Sequence, residues 1–381
     1  MSKGGHFLNK QPKKKGKKIA LIILAALLIL VIGVAAAGVL YYDSIMEKIK
    51  YVTVETKDVE MNEEIENLMG IMEETAPVPP TTEAITEPTT EETTAPTEPK
   101  EPDILNVLVT GQSYRAGEES RLADTNILVT INKDTKAVTL TSFMRDTYVD
   151  LPNFKASNRT YECGWNRINT CYALGYQWGG TGGAMKMTND CLKQNFGIEV
   201  DYNVEIDFNA FIKVIDILGG VRITLTEAEA KYLNEHKYGW QEEVTPGENR
   251  LFGDYALSYA RMRKADGDGE SDIKRTARQR TLFSAIIEKL QRKGLSVVQE
   301  MANEILPMIS TNMPQEEITA TMLELLPMLP EMTISTGTCP VETTYWSDYK
   351  ELPDGGAYVL CFASEQQKRL MMPITEGITF D

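Results

Sequence analysis

The residues best suited to chemistry are arginines. Arg115 and Arg121 flank a polar stretch after an apolar run, Arg145 follows two β-rich runs, and Arg261, Arg263, Arg275, Arg278 and Arg280 cluster further on. A guanidinium is planar, stays charged at any relevant pH and grips phosphate oxygens through paired N–H donors, so this grouping suits a phosphate or diphosphate ligand. Asp124, Asp146 and Asp272 lie close to these arginines. Beside cationic neighbours they ionise readily, and Mg²⁺ takes one or two carboxylates together with phosphate oxygens and water. For the arginines the alternative is a solvated charge paired with nearby acids. For each Asp it is a cap, a turn or a salt bridge. The only histidines are His6 and His236, so Ser/His/Asp, Cys/His and multi-histidine metal sites lack material. Chemistry here must run on carboxylates, arginines and hydroxyls.

Spacing tells which elements must position these groups. A helix starting near Asp272 puts Arg275 and Arg278 at i and i+3, with Gln279 one step on. Arg261 and Arg263 are two apart and can address one ligand only where the chain has left the helix. Apolar strands are expected at ILNVLVTG from Ile104, with a hairpin of TNILVTIN and KAVTLTSF turning at Lys133, Asp134 and Thr135. Helices are expected over 167–176, 184–196, 228–234, 252–259, 272–292, 297–309 and 315–326. Strands are expected over 200–206, 221–225, 332–335 and 358–362. Phe208, Phe211, Ile215 and Leu218 recur at helical spacing before Gly219 and Gly220 stop the helix; this stripe reads as core or as one wall of an apolar groove. Strands interleaved with helices indicate an α/β sheet covered on both faces.

The 381-residue chain carries 39 Lys and Arg against 55 Asp and Glu, a formal charge of −16. Such acidity argues against a nucleic-acid partner, which needs an extended basic face. Residues 19–41 are apolar and uncharged, the length of one spanning helix. Lys3, Lys10, Lys13, Lys14, Lys15, Lys17 and Lys18 precede that run with no acid among them, which keeps residues 1–18 in the cytoplasm and sends the rest outside. A charged juxtamembrane piece is expected over 42–74. A Thr/Pro/Glu-rich linker over 75–103 cannot offset its ordering entropy, and reads as a disordered spacer holding a head away from the bilayer. The head divides into 104–292 and a Met- and Pro-containing part, 293–381, that completes or extends it. Among Cys163, Cys171, Cys191, Cys339 and Cys361, either Cys339 pairs with Cys361 or the thiols stay buried and free.

In order along the chain, NVLVTG, ADTNILVTIN, TLTSFMRDTYVDLP, NRINTCYALG, FNAFIKVIDILGGV, ALSYARMRK and DIKRTARQR resemble the LytR-CpsA-Psr family of cell-wall phosphotransferases over about 104–290. The resemblance implies an αβα sandwich with a central mixed sheet. The implied reaction moves the sugar phosphate of a polyprenyl-pyrophosphate-linked glycopolymer, such as teichoic acid or capsule, to a peptidoglycan hydroxyl. It matches Arg115, Arg145, Arg261, Arg263, Arg275 and Gln279 to pyrophosphate-contacting positions, with Arg121 beside them. Asp124 matches the carboxylate that holds Mg²⁺ or Mn²⁺. Arg278 matches the RQ element, as a pyrophosphate contact or a packing residue. Asp124, Asp146 and Asp272 are the candidate bases, with no order among them. Phe208, Phe211, Ile215 and Leu218 are the candidate lipid wall. Ser113 stands where the family commonly has an acid, and Lys274 where it often has glycine. A binder without transfer, or a pyrophosphatase giving the polymer to water, are the other readings.

Overall fold

The structure is a computed structural model and describes residues 48–53, 102–112, 122–156, 159–236, 242–263, 265, 272–293, 304–325, 328, 331–353 and 355–377. The expected basic tail and spanning segment lie outside the described residues, as do most of the juxtamembrane piece and linker. Among the described residues no helix is long and apolar enough to cross a membrane.

A seven-stranded mixed sheet forms the centre. Its strands are β1 (Lys50–Tyr51), β2 (Ile104–Gln112), β3 (Ala123–Asn132), β4 (Ala137–Phe143), β9 (Tyr202–Ile206), β12 (Ile309–Thr311) and β13 (Thr333–Cys339), in the order β1-β12-β9-β2-β3-β4-β13. β2, β3 and β4 run antiparallel in turn, β9 lies parallel to β2, and β13 closes one edge parallel to β4. Alternation sorts the side chains. Leu105, Val107 and Val109 of β2 face one apolar cluster, and Leu108 faces another. The polar residues beside Leu108 are satisfied across the sheet: Thr130 Oγ1 donates to Asn106 Oδ1 at 2.7 Å, and Thr110 Oγ1 to Asn126 Oδ1 at 3.1 Å.

Helices cover both faces. α1 (Asn169–Phe196) and α7 (Ser364–Thr375) lie over the Leu108 side. On the other lie α2 (Phe208–Ile217), α3 (Glu227–Glu235), α4 (Gly253–Arg261), α5 (Asp272–Lys293) and α6 (Gln315–Leu325). α2 begins where Asp207 Oδ1 accepts from the Ala210 amide at 2.7 Å, and ends at Gly219 and Gly220, with φ of 72° and 79°. Beside the sandwich, β14 (Tyr345–Leu352) and β15 (Gly355–Phe362) form a hairpin, while β5 (Tyr148–Asp150) pairs with β8 (Trp165–Arg167). Smaller ribbons join β6 (Phe154–Ala156) to β7 (Arg159–Tyr161), and β10 (Val221–Leu225) to β11 (Gly247–Leu251).

Several expectations change. The helices expected at 167–176 and 184–196 are one element kinked at Gly179 and Gly180, which have non-helical φ and ψ. The helix expected over 297–309 ends instead, in its described part, as a 3₁₀ turn at Leu306–Met308 followed by β12, because Ile309 and Thr311 alternate into the core and pair with β9. Cys339 and Cys361 sit in separate apolar clusters, and all five thiols are free. β1 lies before the Thr/Pro/Glu segment yet belongs to the same sheet as β2. That segment, which lies outside the described residues, is therefore flanked on both sides by strands of one sheet.

Candidate functional site

A cavity of about 1770 Å³ lies between the sheet and the helices of the first face. It reaches the sheet's end at Val109, Gly111 and Thr125, where β2 stops and β3 starts, and at Ile206, the last residue of β9. The ends of a parallel pair and a following helix start commonly leave such a crevice. Its floor and one wall are apolar: Phe208, Phe211 and Ile212 from α2, Leu257 from α4, and Leu282 and Phe283 from α5. Arg261, Arg263, Arg275 and Gln279 line it as well. Amphiphilic ligands need this combination of oily wall and fixed cations.

Local structure explains how the arginines get there. α4 ends at Arg261, and Met262 takes φ −58° and ψ 128°, leaving the helix. Met262 is buried between Arg261 and Arg263, which are both exposed and line the cavity. The departure from helix required by the two-residue spacing is therefore present. Arg261 also lies over the Phe208 ring, its guanidinium carbon 4.5 Å from the centroid, which joins the cationic and apolar surfaces. On α5, Arg275 and Gln279 are one turn apart and buried, and both reach the cavity. Gln279 Nε2 donates to the Ala260 carbonyl at 3.5 Å.

Arg278 goes elsewhere. Its Nε donates to Glu229 Oε1 at 2.7 Å and its Nη1 to the Met262 carbonyl at 3.0 Å, and it does not line the cavity. Of the two roles open to it, packing is the one the geometry serves: it clamps α3 to the turn that projects Arg261 and Arg263. Glu229 is fixed in turn by a capping box with Thr226 at the start of α3. Burial raises the pKa of Tyr259 to about 12, with the Glu229 carboxylate adding to the shift.

Arg145 and Asp146 follow β4 at the same end of the sheet, outside the cavity wall. Arg145 Nε meets Asp146 Oδ1 at 3.1 Å and Nη2 meets Oδ2 at 3.3 Å. Arg115 and Arg121 lie outside the described residues. Asp124 is placed by its backbone in β3, where the register shifts: Gly111 faces Thr125 and Gln112 faces Ala123, so Asp124 is the extra residue of a β-bulge at the cavity's end. Asp272 is the first residue of α5. The side chains of Asp124 and Asp272 are not among those described.

Half of the expected lipid wall is corrected. Phe208 and Phe211 line the cavity, whereas Ile215 and Leu218 are fully buried against the sheet, because α2 divides its apolar residues between two faces. Leu282, Phe283 and Ile212 were not anticipated; they lie within the expected helices, and only the assembly of α2 against α5 sets them facing the same space. His236 is exposed on the rim and stacked on Tyr232 with centroids 4.1 Å apart. Among the described residues no three His, Cys, Asp or Glu side chains gather as a metal cage. A hard cation shared with phosphate oxygens would need only one carboxylate beside them.

The chain is 30% identical over 215 residues to biofilm regulatory protein A of Streptococcus mutans, covering 54% of this chain and 50% of that protein. It is 33% identical over 187 residues to the polyisoprenyl-teichoic acid–peptidoglycan teichoic acid transferase TagU of Bacillus licheniformis, covering 49% of this chain and 52% of that protein. The chain thus spans about half the length of these relatives. The structure of the LytR-CPS2A-psr family protein YwtF (TagT) with bound octaprenyl pyrophosphate lipid shares the fold. Its TM-score is 0.50 at 21% identity, covering 73% of this chain and 92% of that one. The LytR_cpsA_psr family model matches residues 45–367, nearly the whole described molecule from β1 into α7, and the chain belongs to that family.

Proposed function

We propose that the chain transfers a glycopolymer phosphate from polyprenyl pyrophosphate to a peptidoglycan hydroxyl. The observation that carries this reading is the meeting of Arg261, Arg263 and Arg275 with the Phe208, Phe211, Leu282 and Phe283 surfaces in one cavity. A diphosphate on a long hydrocarbon tail has that same polarity. The names of the relatives, with the lipid bound to the TagT structure, support it.

The arginines hold the diphosphate and neutralise charge as it develops on the bridging oxygen. In a partly closed site one such donor is worth about 10²–10³ in turnover. The acceptor hydroxyl attacks the phosphorus that carries the polymer. Its new P–O bond replaces the bond to the bridging oxygen, and polyprenyl phosphate leaves. The hydroxyl proton passes to a carboxylate, with Asp124, Asp146 and Asp272 as the candidates. Asp124 would hold Mg²⁺ or Mn²⁺ together with diphosphate oxygens, and the ion would supply further neutralisation of the leaving phosphate. Residues 19–41 would anchor the chain as a single-pass membrane protein, with residues 1–18 in the cytoplasm and the head on the wall side. The test is transfer of labelled lipid-linked polymer to peptidoglycan oligomers. A labelled product that forms equally without acceptor would indicate hydrolysis, and lipid binding without product would indicate a binder; either refutes the transfer.

A further inference from the structure

Four of the five cysteines, Cys163, Cys171, Cys191 and Cys339, share the core on the α1 side of the sheet. Two of them stand on the two halves of α1. The break at Gly179 and Gly180 turns this helix back on itself, so that residues before it meet residues after it. A Cβ on Gly175 would lie 2.6 Å from the Met187 Cβ, and one on Gly183 would collide with the Gly175 carbonyl oxygen. The backbones of the two halves therefore touch.

Cys171 lies four residues before Gly175, and Cys191 four residues after Met187. Residues four apart share one face of a helix, so the two cysteines are opposed across the same seam, one turn from where it is tightest. Their sulfurs interact directly: burial, and next the Cys191 thiol beside it, push the Cys171 thiol well above its ordinary range. Both residues are fully buried, and Asn195 Nδ2 donates to the Cys191 sulfur at 3.6 Å. Cys163 is a more distant neighbour of Cys171, with its own sulfur held by the Phe154 backbone. A disulfide asks for facing Cβ atoms about 3.5–4.5 Å apart, and a seam closed by glycines brings two helices that near.

We propose that Cys171 and Cys191 are joined as a disulfide in the exported chain, fastening the two halves of α1. This rests on the outward-facing head proposed above, where oxidation is possible, and is independent of the transfer. The oxidant is itself a disulfide, either a small molecule or a thiol–disulfide oxidoreductase. One cysteine thiolate attacks it and forms a mixed disulfide, releasing the first oxidant sulfur; the second thiolate then displaces the other. The two cysteines lose two protons and two electrons, and the oxidant ends as two thiols. Because the folded core encloses both sulfurs and keeps the Cys171 thiol protonated, the exchange belongs to the folding chain, and the finished bond is shielded from reductants.

The test is peptide mapping by mass spectrometry of the full chain taken from cell membranes, with free thiols alkylated under denaturing, non-reducing conditions. One cross-linked pair of peptides holding Cys171 and Cys191 is expected, with Cys163, Cys339 and Cys361 alkylated. The Cys163→Ala variant should form the same bond. The oxidised chain should melt roughly 5–10 °C above the same chain refolded under reductant, as closing a loop of this length implies. Alkylated Cys171 and Cys191 in the native chain, or either one paired with Cys163, would overturn the proposal. A second arm separates its two supports, using the denatured chain refolded with oxidised and reduced glutathione. If the bond forms there although the cellular chain lacks it and an external protease does not reach the head, the outward topology has failed. If no such bond forms there, the seam itself has.

Discussion

Arg263 and Arg278 look alike in the sequence, each one of a clustered group of arginines, yet the structure sets them in opposite surroundings. Arg263 is exposed on the cavity, and Arg278 is paired with Glu229, their side chains only 6% and 10% exposed. Arg263→Ala is expected to leave the denaturation midpoint in place within about 0.5 kcal/mol, while turnover falls about 10²–10³. Arg278→Ala strands a buried carboxylate and is expected to cost about 3–5 kcal/mol in chemical denaturation, because an uncompensated buried charge is far costlier than a lost surface pair. Equal stability for the two variants would refute this division. The grouping itself was legible, since arginines in so acidic a chain ask for anionic company. The fate of Arg278 was not, because its partner Glu229 lies 49 residues away and its other acceptor is a backbone carbonyl.

At the level of elements, legibility followed pattern. β2, β3 and β4 are near-continuous apolar and β-branched runs that could be read as strands, and the expected turn at Lys133–Thr135 joins the last two. α1 was read as two helices because glycines interrupt its pattern. What could not be read is that the two halves stay packed: a Cβ on Gly175 would lie 2.6 Å from the Met187 Cβ and 2.8 Å from the Ala184 Cα. The kink depends on Gly180, at φ 61° and ψ −151°, a region nearly closed to residues with a Cβ. Gly180→Ala meets no atom within 4 Å, so its penalty should be pure backbone strain, about 1–3 kcal/mol by thermal or chemical melting. Gly175→Ala should cost a similar amount, about 1–3 kcal/mol, through overpacking instead. Removing the Met187 side chain should relieve neither, because the Gly183 carbonyl oxygen and the Ala184 Cα crowd the same spot beside Gly175. β14, β5 and β8 escaped notice for a different reason. They are short or heavily polar and aromatic, and they pair outside the main sheet, β14 with β15 and β5 with β8.

For the whole molecule, the sheet's far edge changes what joins what. Ile49 is buried in the larger core, β1 runs parallel to β12, and the Val52 amide donates to the Thr311 carbonyl at 2.8 Å. The Thr53 carbonyl also lies against Gly182 of α1, where a side chain would collide with it. The chain thus docks on the head before it enters the Thr/Pro/Glu stretch and rejoins the sheet only at β2. Loop closure tolerates this, since each doubling of a flexible loop costs only about 0.6 kcal/mol. Under the topology proposed above, only residues 42–48 would separate a membrane anchor at residues 19–41 from Ile49, which would keep the cavity near a lipid-borne substrate. A head cut to begin at residue 102 should lose Ile49 and β1 together. Burial of one such side chain is worth about 2 kcal/mol, which corresponds to roughly 4–8 °C in Tm for a domain of this size, relative to a head begun at residue 45. Adding back residues 45–53 as a separate peptide should restore part of that difference. Identical melting of the two heads would mean that the edge strand contributes nothing.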